Sequence, residues 1–101
     1  MYTLEKLSLL EGKDSLLYEG FKRSGNCITL VDYRDKTKFK QIESLLDVVP
    51  DYQIVLTRGF DVMNTSLISE ILERTPNSVK FKTQTSVYLL TYVKDTDNET
   101  E

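Results

Sequence analysis

The sequence predicts an α/β (α+β-like) fold: a two-layer sandwich whose mixed β-sheet of five to six strands carries two helices on one face, in the order β-β-β-α-β-α-β-β. Three observations carry that expectation. A helix–Pro–strand pattern occurs twice, from Ile42 to Thr57 and from Ile68 to Thr83. The first third of the chain reads as strands punctuated by turn residues, with Cys27 to Tyr33 rich in β-branched and aromatic residues. The same strand character returns from Val79 to Val93.

Each element has a local reason. Thr3 to Leu10 alternates in part, Glu11-Gly12-Lys13-Asp14 supplies turn chemistry, and Leu16 to Lys22 resumes an extended pattern in which Gly20 marks a bulge or bend. Ser24-Gly25-Asn26 reads as a second turn before a strand from Cys27 to Tyr33, which makes an antiparallel meander of three. From Thr37 the period becomes helical. Phe39, Ile42, Leu45, Leu46 and Val49 form one apolar stripe, which Pro50 ends. Tyr52 to Thr57 is the next strand and Arg58-Gly59-Phe60-Asp61 a loop. Asn64 or Thr65 then caps a second helix with Leu67, Ile68, Ile71 and Leu72 on its apolar face, stopped by Pro76-Asn77. Val79 to Gln84 and Val87 to Val93 form either a hairpin turning near Gln84-Thr85-Ser86 or one long bent strand, and the hairpin is preferred. Two right-handed crossovers would place both helices on the same face.

The two copies of the repeat share four of sixteen positions: Ile42/Ile68, Leu46/Leu72, Pro50/Pro76 and Thr57/Thr83. Their strand centres differ. Ile54-Val55-Leu56 is apolar throughout, whereas Lys80-Phe81-Lys82 alternates. That contrast sets Val55 and Phe81 against the helices and leaves Ile54 and Leu56 on a second face awaiting cover from a partner, another subunit or the N-terminal hairpin.

Composition bounds the function. Residues 1–94 are expected to form one globular domain and residues 95–101 an acidic, mobile tail. The net charge of −3 resides in the segment from Lys94 to Glu101, so the body is neutral and general attraction to nucleic acid is not expected. A single cysteine, Cys27, allows no disulfide within the chain, which favours a reducing, cytoplasmic location. The start of the sequence has no basic leader before an apolar run, and no apolar stretch is long enough to span a membrane. There is no histidine, so neither a zinc site nor a Cys–His nucleophile can be assembled. No cofactor, metal site or catalytic residue is therefore expected.

Two candidate sites remain. Arg34, Lys36, Lys38 and Lys40 crowd the start of the expected first helix, where the macrodipole disfavours cations, and Arg58 is expected to converge on the same end of the sheet. An anion held there is the functional reading. A solvated loop neutralised by Asp32, Asp35 and Asp61 is the commoner explanation of such a charge run. Those aspartates could instead hold a divalent metal for phosphoester chemistry, although their spacing matches no motif. The second candidate is a protein interface of Ile54, Leu56, Tyr88 and Tyr92, with Tyr18, Tyr33 and Tyr52 in or beside strands. The leading expectation is a small non-catalytic intracellular protein-binding module, an inhibitor, adaptor or subunit, with a phage-type inhibitor of a host system as one form it could take. Its partner would be another protein, or a second copy in a homodimer. The alternative is recognition of a nucleotide or single-stranded nucleic acid by the basic loop.

Overall fold

Alternating apolar residues and short turn segments recur along the chain, and the backbone follows them into strands. A computed structural model describes residues 1–9, 20–32 and 34–93. It holds β1 (Tyr2–Leu9), β2 (Lys22–Gly25), β3 (Cys27–Asp32), β4 (Phe39–Ile42), a 3-10 turn (Leu45–Asp47), β5 (Tyr52–Arg58), β6 (Asp61–Thr75), β7 (Ser78–Thr83) and β8 (Ser86–Tyr92). Every ladder is antiparallel, in the order β2-β1-β8-β7-β6-β5-β3-β4. No helix among the described residues is long and apolar enough to cross a membrane.

The ends of that order are joined through the chain. β2 runs into β3 across Asn26 alone, yet β2 pairs with β1 while β3 pairs with β5. The strands β1, β2/β3, β5, β6, β7 and β8 therefore follow one another round a ring, and β8 returns to β1. Such closure removes most of the sheet's edges. At the corner the Asn26 N–H donates to the Thr57 carbonyl at 2.9 Å. Gly25 permits the approach: a Cβ there would lie 2.7 Å from the Thr57 carbonyl oxygen and 2.8 Å from Leu56 Cδ1. The opposite corner is β6, which pairs with β5 through its first half and with β7 through its second.

The interior is built by period-two alternation. Tyr2 and Leu4, Ile28 and Leu30, Ile54 and Leu56, Val79 and Phe81, and Tyr88 and Leu90 all face inward and are buried. Burial of each large apolar side chain contributes about 1.5–3 kcal/mol. Phe81 and Tyr88 stack with ring centroids 5.6 Å apart. Leu45 and Val48 of the 3-10 turn join the same core. Further along β1, β7 and β8 the buried positions turn polar, with Lys6, Thr83 and Ser86. The Thr83 hydroxyl accepts from the Ser86 N–H at 3.2 Å and organises the β7–β8 turn.

Both expected helices are corrected to extended or 3-10 structure, and with them the α/β sandwich and its parallel crossovers. The first stripe becomes β4, the 3-10 turn and a loop. Ile42, Leu45 and Val48 are buried at intervals of three, while Phe39, Leu46 and Val49 are exposed. A strand end followed by a turn of three residues per rotation produces that spacing without a helix. Ser44 caps the turn, its hydroxyl accepting from Leu46 N–H at 3.1 Å.

The second stripe is β6, whose ladders break register opposite Ile54, at Ser69 and at Leu72. Each break shifts the inward phase by one residue. Thr65 and Ile68 are buried and Ile71 and Arg74 half-buried, so a bulged strand points inward every third residue. The Thr65 hydroxyl repairs the first break by accepting from Ile54 N–H at 3.2 Å and donating to the Ser66 carbonyl at 2.8 Å.

Other expectations meet the structure more closely. Pro50-Asp51 and Pro76-Asn77 are both turns leading into strands, so the repeat holds in its proline and strand but not in its helix. Asp51 has φ of 74° after Pro50, the geometry of a type II turn. The hairpin at Gln84-Thr85 is present. The meander of three is not, because β2 and β3 are continuous and never pair. The Glu11–Asp14 turn, most of the strand expected from Leu16, Tyr18, Tyr33 and the tail 95–101 lie outside the described residues.

Candidate functional site

Among the described residues β4 is the one strand that stands outside the ring, and its position follows from the hairpin that delivers it. Asp32 and Asp35 build that loop. Asp32 Oδ1 accepts from Arg34 N–H at 2.8 Å, and Asp35 Oδ1 accepts from Thr37 N–H at 3.0 Å and from the Thr37 hydroxyl at 2.5 Å. These bonds to Thr37 hold the Asp35 carboxyl below its usual range. Both carboxylates are thus committed to the turn, as aspartates in such loops commonly are.

The Asp32 N–H to Lys38 carbonyl bond at 2.9 Å sets the phase of the β3–β4 ladder. Bonded pairs alternate with unbonded ones in an antiparallel ladder, so the bonded pairs are Leu30/Lys40 and Ile28/Ile42. The N–H and C=O groups of Phe39 and Gln41 consequently point away from β3. Among the described residues no strand pairs with that side of β4. Phe39, Lys40 and Gln41 are exposed, Phe39 by 66%.

Lys36, Lys38 and Lys40 thus belong to a hairpin and its edge strand, and no helix dipole acts on them. They are exposed, and none makes an ion pair within the described residues, where Glu70–Lys82 across β6 and β7 is the one salt bridge, at 3.6 Å. Arg34 and Lys38 line a cleft of about 580 Å³ with Asp32, Asp35, Pro50, Asp51, Tyr52 and Leu67. Its three acids outnumber its two bases, which disfavours an anion enclosed within the cleft. Lys36 turns to a separate hollow beside Gln53, Ser66, Leu67 and Gln84. Arg58 is opposite Asp61 at the β5–β6 turn, six residues along β5 from Tyr52 and so roughly 20 Å away. The five basic residues therefore do not gather at one point, and Asp61 is equally remote from Asp32 and Asp35.

The residues expected at an interface are placed differently. Ile54, Leu56 and Tyr88 face the interior and have almost no surface. Tyr92 is 37% exposed, its ring 4.9 Å from that of Tyr2, beside a notch lined by Met1, Asn26 and Glu43. Sequence reasoning missed Phe39 by assigning it to a helical stripe, and missed Phe60, which is fully exposed at the tip of the β5–β6 hairpin. For Phe60 a signal was present. Gly59 at the first position of a two-residue loop, here with φ of 59°, marks a tight hairpin that has no interior to hide its second residue. No protein-family model matches this chain, and no curated protein or solved structure does.

Proposed function

We propose that this chain is a small, non-catalytic intracellular domain that binds another protein through the free edge of β4. The supporting observation is that edge: among the described residues β4 is paired on one side only, by β3, and carries a 66% exposed phenylalanine on an otherwise ring-closed sheet. An open edge offers main-chain donors and acceptors to an added strand, and the side chains beside it supply selectivity. Natural proteins usually blunt or cover such edges.

The reading is tested by affinity capture with nuclease treatment, comparing the natural sequence with Gln41→Pro. Proline removes one outward N–H and is tolerated on an edge strand whose N–H faces solvent. A protein retained by the natural sequence after nuclease, and lost from Gln41→Pro, is the expected result. Capture that disappears with nuclease, or that Gln41→Pro leaves intact, would overturn the proposal.

A further inference from the structure

Resting on the protein-binding reading above, we infer that the partner adds an extended segment carrying Asp or Glu at alternate positions. The argument begins with charge. Lys36, Lys38 and Lys40 recur at every second residue in and beside the edge strand, and within the described residues no carboxylate pairs with them. Lys38 shares its cleft with Asp32, Asp35 and Asp51, but Asp32 and Asp35 are held by backbone N–H groups of their own loop and none of the three makes an ion pair with it. A second copy is a poor occupant, because two such edges would oppose lysine to lysine, and like charges facing each other weaken a ladder. An acidic strand meets the reverse situation. Phe39 and Gln41 offer it backbone hydrogen bonds, and successive acids on one face of the added strand come level with Lys40 and Lys38. The exposed Phe39 ring lies on the other face of the ladder and provides an apolar contact for the intervening residues.

The test uses the full chain and a synthetic peptide, Thr-Asp-Thr-Asp-Thr-Glu-Thr-Glu, with a control of the same composition whose acids are contiguous. Titration is followed by backbone amide NMR. Saturable shifts centred on Phe39 and Gln41, at least tenfold weaker for Lys38→Glu/Lys40→Glu and for Gln41→Pro, and weakened by salt, are expected. Native-like spectra of the free variants establish that they are folded. Absence of binding, equal affinity for the control peptide, or affinity unchanged in the lysine variant would overturn the inference. If Gln41→Pro abolishes protein capture while the acidic peptide does not bind, the protein-binding reading stands and this inference alone fails. The chain's own Asp95, Asp97, Glu99 and Glu101 show the same alternation in sequence. A full-length variant with Asp95→Asn, Asp97→Asn, Glu99→Gln and Glu101→Gln therefore completes the set. A tenfold gain in peptide affinity in that variant would assign the edge to the chain's own C-terminal segment and overturn the proposal of a separate partner.

Discussion

At Gly25 the absence of one methyl group decides whether the first corner can close. The 2.7 Å separation that a Cβ would have from the Thr57 carbonyl oxygen involves backbone, which cannot move aside as a side chain can. Gly25→Ala is expected to cost about 1–3 kcal/mol, as other overpacking substitutions do, read by urea unfolding with circular dichroism. Tyr88 acts through its hydroxyl. Burial raises its pKa above the ordinary value of 10.0, with a hydrogen bond to Ser86 partly offsetting the shift. A folded pKa above the unfolded one contributes stability that is complete below about pH 10 and is lost as pH rises through the folded value. Unfolding free energy should therefore fall across that alkaline range, and Tyr88→Phe should flatten the fall while keeping the stack on Phe81. An identical alkaline profile in the variant would refute this role. Burial also raises the pKa of Tyr2, which therefore contributes to the slope that persists in the variant.

Among the elements, the 3-10 turn depends on a residue far along the chain. The Arg74 guanidinium donates to the Leu46 and Val48 carbonyls, so the end of β6 holds the turn that brings Leu45 and Val48 into the core. Arg74→Ala should lower stability by about 1.5–3 kcal/mol and speed amide exchange at Asp47 and Val48. Arg74→Lys should recover little, because an ammonium cannot reproduce the planar fork. Thermal melts and hydrogen exchange check both statements. This element also shows why part of the fold was not legible. Strands β3, β5, β7 and β8, and β1 as far as Lys6, could be placed because they keep period two, but β6 carries three register breaks and mimics a helix by pointing inward every third residue. The lysines were legible as a charged cluster, whereas their place in and beside an edge strand was not. That depended on β4 being a strand at all.

In the whole molecule, β8 lies against β1, so Met1 and Val93 exchange hydrogen bonds at 2.8 and 2.9 Å. Closing the ring thus needs contact between the two ends of the described chain. Folding should be correspondingly slow, with a main phase of milliseconds to seconds, as for other all-β domains rich in non-local pairing. Stopped-flow refolding measures it, and a microsecond phase of full amplitude would contradict it. The sequence alone determined most strands, both proline turns, the Gln84-Thr85 hairpin, and the absence of histidine and of a second cysteine, because these depend on local conformational preference and composition. The tertiary structure alone decided that the two apolar stripes are not helices, that Ile54, Leu56 and Tyr88 are core rather than surface, and that Phe39 lies on a free edge. The physical reason is that an inward spacing of three fits a helix and a bulged strand equally well. Only the partner strands β5 and β7, which satisfy the backbone of β6, choose between them.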